Sequence, residues 1–246
     1  MSFILNLRHP DTNLACVEIG GSSIETVLFT SDGGVERVDG AVRPDGCRLA
    51  IACPGLIAEG RVKGAANLNW FDVDPAEVLG LGAPAEILLN DAEAAALGES
   101  ALRNLADVVF VCVGTGVGGA VVVDSKIVAG NLLGHIDGFS ERVCTCGNVG
   151  CLETAAAGWA LPDPLTANDV DAVAAAIASA LEREPAASGR LVVLGGGIAR
   201  RYPSLCERLA RYAPSRRVET SAAPAAYKSA AAWGLRQALE PSVARR

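Results

Sequence analysis

The sequence predicts an α/β fold made of two lobes, and three observations lead to this prediction. Short apolar segments with the length of buried strands recur along the chain. Three of them run directly into glycine-rich turns, and a fourth ends in an Asn-Asp pair that precedes a helical pattern. These four segments are Leu14–Ile19, 107–113, 191–194 and 86–89. Strands that alternate with helices in this way are typical of layered α/β proteins.

Composition limits the classes of function. The chain has 246 residues, half of them hydrophobic, and a formal net charge of −7. This acidic balance argues against a nucleic-acid partner, which would require a basic surface. No apolar run reaches spanning length, and the first ten residues lack the basic and apolar regions of a signal peptide. We therefore expect a cytoplasmic protein with no membrane partner.

Three of the eight cysteines and one of the two histidines lie close together in the chain. His135, Cys144, Cys146 and Cys151 fall within seventeen positions. Thiolates and an imidazole in that number suit a closed, structural zinc site. The other interpretations are unrelated buried thiols or a disulfide, although a reducing compartment favours the metal. Glu153 follows the last cysteine by two residues, so the metal loop would hold its carboxylate in place.

Glycine-rich turns follow three of the predicted strands. Gly20-Gly21-Ser22-Ser23 joins two strands, 114–119 holds four glycines between 107–113 and a strand over 120–123, and 195–197 is a run of three glycines. Bare backbone N–H groups suit phosphate oxygens. The 114–119 turn matches neither the Walker pattern, since no Gly-Lys-Ser/Thr follows, nor the dinucleotide fingerprint, since a strand follows in place of a helix. The Gly20–Ser23 segment is also compatible with an ordinary turn.

Asp91 is the candidate catalytic group. It lies where the strand over 86–89 ends and a helix over 92–105 is predicted to begin. At this position Asn90 or Asp91 serves either as a simple helix cap or, for Asp91, as a carboxylate that accepts a proton. A last helix is predicted over 227–239.

These motifs, in this order, resemble the ROK family of bacterial sugar kinases and repressors, within the actin-like ATPase superfamily of ribonuclease H-like folds. The resemblance extends from about Ala15 to Leu239. The matching stretches are 18–21, 52–55, 66–70, 89–92, 114–119, 134–135, 144–153 and 194–197.

The resemblance implies two α/β lobes with sugar and ATP meeting between them. The first lobe would comprise 1–97, completed by 227–246, and the second 98–226. An ATP-dependent kinase would then use Asp91 to deprotonate the primary hydroxyl of a hexose-like substrate. The implied sugar contacts are Gly55, Asn67, Asn90, His135 and Glu153. The implied nucleotide contacts are Glu18, Gly20, Gly21, Ser22, Gly114, Thr115, Gly116, Gly195, Gly196 and Gly197. His135 would serve zinc through one ring nitrogen and sugar through the other, and Mg²⁺ would accompany ATP. A homodimer is expected.

Two departures from the family pattern affect the expected ligands: the change at position 23 bears on nucleotide affinity, and the change at 131–132 bears on the substrate. Ser23 stands where the family has lysine, and Asn131-Leu132 stands where it has Gly-Glu. Leu132 would leave hydroxyls at the anomeric end unpaired, which favours an amino sugar or a C7-cyclitol over glucose. A non-catalytic sugar-binding or regulatory protein is the alternative. Barely a dozen residues precede the first strand, so the helix-turn-helix of the repressor branch is not expected.

Overall fold

The computed structural model describes residues 13–130 and 133–240, which form two compact units. The first unit contains the described residues up to 104 and those from 223 onward, and the second contains those from 105 to 222. Each unit is built on a five-stranded mixed sheet with helices packed on it. The predicted α/β fold is therefore confirmed.

In the first unit, two antiparallel strands are attached to three parallel ones. Before residue 104 its strands and α-helices are β1 (Leu14–Ile19), β2 (Ile24–Phe29), β3 (Val35–Asp39), β4 (Arg48–Cys53), β5 (Leu56–Ala58), β6 (Arg61–Gly64), α1 (Pro75–Val78), β7 (Ile87–Asn90) and α2 (Asp91–Arg103). The sheet order is β3-β2-β1-β4-β7, with β1, β4 and β7 parallel. The small β5–β6 hairpin has strands too short for an alternating pattern to predict.

The second unit repeats this arrangement. Its strands and α-helices are β8 (Val108–Val113), β9 (Val117–Val123), β10 (Lys126–Ala129), α3 (Glu153–Ala156), α4 (Ala167–Glu182), β11 (Val192–Gly195), α5 (Gly197–Arg201), α6 (Ser204–Tyr212) and β12 (Val218–Thr220). The sheet order is β10-β9-β8-β11-β12, again with two antiparallel strands followed by parallel ones. β1 and β8, the first strands of their sheets in chain order, both take the central place in the strand order. The glycine-rich turns that follow β1 and β8 are therefore in equivalent positions.

Two predicted element boundaries were wrong by three or more residues. β9 begins at Val117, not at residue 120, because Gly118 and Gly119 pair with Cys112 and Val111 of β8. Main-chain pairing needs no side chain, so hydrophobicity alone does not reveal these residues as strand.

The last helix is also shorter than predicted, since it spans Ala231–Leu239 and not 227–239. The residues before it form hydrogen bonds to strands β1 and β2 instead of joining the helix. The Lys228 amide donates to Glu25 Oε1 of β2 at 3.0 Å, and Ser229 Oγ donates to Glu18 Oε2 of β1 at 2.8 Å. Ser229 Oγ also accepts from the Ala231 amide, at 2.9 Å, at the helix start.

This C-terminal helix packs backbone to backbone against α2. A Cβ atom at Gly98 would lie 1.8 Å from the carbonyl oxygen of Ala230, and one at Gly234 would lie 1.8 Å from that of Ala94. Both glycines are therefore required by the close approach of the two helices. This contact holds the C-terminal segment in the first unit.

Among the described residues, no helix combines the length and the apolar character needed to cross a bilayer.

Candidate active site and metal centre

Asn90 and Asp91 lie where β7 ends and α2 begins, as predicted. The Asn90 side chain caps α2, since its Oδ1 accepts from the amides of Ala92 at 2.9 Å and Glu93 at 3.4 Å. Its Nδ2 donates to the carbonyl oxygen of Gly55 at 3.0 Å. The N-cap is therefore Asn90, and Asp91 is the first residue of the helix.

Asp91 is held in a fixed direction by the start of the helix. Its Oδ1 accepts from the Ala92 amide at 2.9 Å. Burial raises the pKa of this half-buried carboxyl, while the Ala92 amide and the positive charge of Lys228 act in the opposite direction. Within the described residues, its hydrogen bonds come from backbone amides alone. The result is an oriented carboxylate with increased affinity for a proton.

Gly55 and Asn67 lie in the segment that joins β4 to α1. Gly55 has a φ of 102°, and a Cβ atom there would lie 2.2 Å from the carbonyl oxygen of Gly64, so only glycine fits between β4 and the β5–β6 hairpin. Its carbonyl oxygen fixes Asn90, as described above. Asn67 lies in a short 3₁₀ turn, Ala66–Leu68, and is exposed.

Glu18 is the last but one residue of β1 and is only 7% exposed. Burial raises its pKa to about 7, and the nearby charge of Asp91 contributes in the same direction. Lys228 and the hydroxyl of Ser229 act against this rise. Glu18 and Asp91 therefore belong to one electrostatic group with Lys228. Sequence reasoning missed Lys228 and Ser229, because nothing in their local pattern connects them to a turn two hundred residues earlier.

The pKa of Glu18 predicts a pH-dependent stability. The native state keeps this proton between about pH 4.5 and 7 while the unfolded chain releases it, so wild-type stability falls as pH rises through that window. The shift corresponds to about 3 kcal/mol. Glu18→Gln has no charge to bury, so we expect it to match wild type near pH 4 and to exceed it by up to that amount at pH 8.

Urea unfolding across this pH range measures the difference. Glu36→Gln, which changes an exposed glutamate of β3 in the same sheet, is the matched control. If the free energies of unfolding of wild type and Glu18→Gln changed with pH in parallel, the buried carboxyl would carry no such cost.

His135, Cys144, Cys146 and Cys151 converge in the second unit. Their ligand atoms all lie within 4.8 Å of one another. The Sγ atoms of Cys146 and Cys151 are 3.6 Å apart, and Cys144 Sγ is 3.7 Å from Nδ1 of His135. A tetrahedral zinc ion with ordinary bond lengths separates such ligands by roughly 3.5–3.8 Å. The four residues thus fit zinc, and all eight cysteines are free thiols, which argues against the disulfide interpretation.

The chemistry of the donor set supports the same conclusion. Burial, together with the neighbouring thiols, raises the pKa of Cys151 to about 12. Three thiols in contact do not all ionise unless a cation offsets their charge, and a bound divalent metal supplies it. With four protein ligands the coordination sphere is complete, so the site has the character of a structural centre.

Glu153 links this loop to the turn between β8 and β9. Its Oε1 accepts from the Val117 amide at 2.9 Å, and Oε2 lies 3.8 Å from Cys144 Sγ. A Cβ atom at Gly116 would lie 2.5 Å from Oε1. The carboxylate is therefore fixed by the metal loop, as predicted, and also by the glycine turn, which the sequence did not indicate.

The two glycine-rich turns of the second unit lie side by side. The Gly114 position approaches the Gly197 amide, since a Cβ atom there would be 3.6 Å from it, and a Cβ atom at Gly196 would lie 2.4 Å from the carbonyl oxygen of Val113. Thr115 is exposed at the tip of the first turn. Gly195 differs from its neighbours, because the ring of Phe110 fills the space of its missing side chain at 2.7 Å. Packing against Phe110 is therefore a sufficient reason for glycine at position 195.

Leu132 and Asn131, whose identities affected the expected substrate, lie outside the described residues.

Comparison with known proteins places these features in a family. A family model described as "ROK family" matches residues 38–191, which is more than half of the chain. An N-acetylmannosamine kinase of Escherichia coli is 30% identical over 181 aligned positions, and the match covers 59% of this chain and 61% of that protein. A xylose repressor of Caldicellulosiruptor bescii is 33% identical over 125 aligned positions, and the match covers 46% of this chain and 31% of that protein. The chain thus spans less than two thirds of the length of these relatives.

The fold is shared with solved structures over nearly the whole chain. A ROK family glucokinase from Streptomyces griseus, in complex with glucose and AMPPNP, superimposes with a TM-score of 0.69 at 19% identity. The match covers 92% of this chain and 98% of that protein. Each of the two units thus has the α/β fold seen in that glucokinase structure.

Proposed function

Because this chain belongs to the ROK family, we propose that it is an ATP-dependent kinase that phosphorylates the primary hydroxyl of a hexose-like molecule. The observation that carries the proposal is the placement of Asp91. A half-buried carboxylate stands at the end of a parallel strand, is oriented by the Ala92 amide and follows the helix N-cap Asn90. Similarity to a sugar kinase over 59% of the chain supports the same reaction class.

In the proposed reaction Asp91 accepts the proton of the sugar hydroxyl. The hydroxyl oxygen forms a bond to the terminal phosphorus of ATP while the bond between that phosphorus and ADP breaks. Phosphoryl transfer depends mainly on alignment and on stabilisation of charge, so a carboxylate held in one direction suffices as a base. The raised pKa of Asp91 improves proton acceptance near neutral pH.

We assign sugar contacts in each unit separately. In the first unit they are Gly55, Asn67 and Asn90, and in the second they are His135 and Glu153. Nδ1 of His135 faces the thiols, which leaves Nε2 for a hydroxyl. With zinc bound, Cys144 would serve as a thiolate ligand. It would then not donate to Glu153 Oε2, which would be available as an acceptor for the substrate.

We assign the phosphates of ATP to the turns that follow the first strand of each sheet. These turns occupy equivalent positions in two sheets of the same strand order, and their backbone amides suit phosphate oxygens. The residues of this assignment are Gly20, Gly21 and Ser22 with Glu18 in the first unit, and Gly114, Thr115 and Gly116 in the second. Gly195, Gly196 and Gly197 are assigned to the adenosine. Mg²⁺ supplies charge compensation for the phosphates when it is bound with ATP.

A substrate panel tests this function. Zinc-loaded protein is incubated with ATP and Mg²⁺ and with hexoses, amino sugars including N-acetylmannosamine, and cyclitols, while ADP release is followed. We expect turnover with at least one member, and we expect the change at Leu132 to favour an amino sugar or a cyclitol over glucose. ADP release with no member would contradict the kinase proposal.

The similarity to a xylose repressor favours a second candidate, a sugar-binding regulatory protein without kinase activity. Thermal shift measurements with the same panel separate the two. A sugar that stabilises the protein without being phosphorylated would identify the regulatory protein.

A further inference from the structure

The segment that precedes the C-terminal helix is hydrogen-bonded to the two strands that flank the Gly20–Ser23 turn. The Lys228 amide donates to Glu25 on β2, and the neighbouring Ser229 hydroxyl donates to Glu18 on β1. These two strands are the ones that Gly20–Ser23 connects. Residues 228 and 229 therefore bridge both sides of the turn, and their backbone position is set by two buried glutamates.

The Lys228 side chain lies directly on the turn. Its ammonium nitrogen donates to the carbonyl oxygen of Ser23 at 2.9 Å. A Cβ atom at Gly20 would lie only 1.9 Å from the same nitrogen. The ammonium thus occupies the space that the absent side chain of Gly20 provides, and a larger residue at position 20 would displace it.

The charge of Lys228 acts on Asp91, the candidate catalytic group. Its positive charge lowers the pKa of both Glu18 and Asp91, against the effect of their burial. Glu25 faces the same segment but is paired with Arg37. Lys228 therefore brings a positive charge to a turn whose immediate surroundings otherwise contain the carboxylates of Glu18 and Asp91.

We propose that Lys228 is a further binding residue for the phosphoryl donor, with its ammonium contacting the terminal phosphate held at the Gly20–Ser23 turn. This inference rests on the proposed function. A lysine ammonium is a compact charge suited to phosphate oxygens, and a glycine turn adds backbone amides to the same anion. The cation also offsets the repulsion between a polyanionic donor and the two carboxylates.

Protection from acetylation tests the contact without requiring turnover. The chain has only three lysines, at positions 63, 126 and 228, so the other two serve as internal controls. Zinc-loaded protein is treated with an acetylating reagent, with and without Mg²⁺ and AMPPNP, and labelling is measured by peptide mass spectrometry. At ten times the dissociation constant of AMPPNP we expect labelling of Lys228 to fall about tenfold. Labelling of Lys63 and Lys126 should not change, and equal labelling of Lys228 in both samples would overturn the proposal.

Kinetics of charge variants provide the second test. We expect Lys228→Met to lower kcat/KM for ATP about 10- to 100-fold, because a charge-assisted contact to the donor is lost. The KM for sugar should stay within about twofold of the wild-type value, because the substitution weakens binding of the phosphoryl donor and leaves the sugar site intact. Lys228→Arg keeps the positive charge, so its kcat/KM for ATP should lie between those of wild type and Lys228→Met. Lys126→Met, at the exposed first residue of β10, is the matched control.

The outcomes separate this inference from the kinase proposal. Turnover by wild type with unchanged ATP dependence in Lys228→Met would overturn the role of Lys228 and leave the kinase in place. In that case Lys228 would only fasten the C-terminal segment, and its loss would lower the melting temperature alone. Failure of wild type to bind any nucleotide would overturn both.

Discussion

Replacing Asp91 with asparagine is expected to lower kcat for sugar phosphorylation at least about 100-fold, because a positioned general base typically contributes 10²- to 10⁴-fold. Asparagine keeps an Oδ1 atom that accepts from the Ala92 amide, so the start of α2 is preserved. The amide has no proton affinity in this range, so only the proton transfer is lost. The KM values for sugar and ATP should change little, which marks an effect confined to the transition state.

Steady-state kinetics and circular dichroism of the purified variant measure these quantities. Asp74→Asn is the matched control, because Asp74 also accepts from a backbone amide at a helix start, that of Ala76 at 2.8 Å. We expect the control to retain wild-type kcat. An Asp91→Asn variant as active as this control would show that Asp91 is only part of the helix terminus.

Replacing Cys151 with serine is expected to release the bound zinc and to destabilise the second unit. Between β10 and α3 the described chain contains turns and one isolated bridge between Val143 and Val149, with no regular helix or strand. Hydrogen bonds such as those from the Phe139 amide to the Gly150 carbonyl oxygen and from the Leu152 amide to the Ile136 carbonyl oxygen also span this loop, and the four metal ligands add a further constraint to them. Metal binding to such a site contributes directly to folding, and a loss of several kcal/mol corresponds to a fall in melting temperature of roughly 10 °C for a chain of this size.

Elemental analysis should give one zinc per chain for wild type and a clear loss for Cys151→Ser. Sugar affinity should fall with the metal, because His135 and Glu153 depend on the loop for their positions. Cys206→Ser is the control, since Cys206 is a half-buried thiol of the same unit outside the metal cluster. Wild-type protein that is well folded and free of metal after purification would contradict the structural role of zinc.

Much of the candidate site follows from local sequence. The strands that lead to the glycine turns and to Asn90-Asp91 are apolar runs of strand length, and such runs predict buried strands whatever surrounds them. The spacing of His135 and the three cysteines predicted a metal cluster because ligands close in sequence need only a tight loop to meet. Their ligand atoms do converge, as predicted.

Boundaries depended on contacts that the local pattern does not contain. Gly118 and Gly119 belong to β9 because β8 pairs with them. The C-terminal helix starts late because residues 228 and 229 bond to glutamates of β1 and β2. The partner in the first case lies six to eight residues away across a hairpin, and in the second about two hundred residues away, and in each case the pairing outweighed local propensity.

The sequence by itself determined the chemistry available to this protein: an acid at a strand end, turns of bare backbone, and four metal ligands in one loop. Only the tertiary structure decided which groups act together. It ties Glu153 to the Val117 amide, and it brings Lys228 to a turn 205 residues away. Periodicity and spacing report on a few neighbouring residues, whereas these pairings arise from sheet topology and from the packing of the C-terminal helix on α2, which are properties of the whole unit.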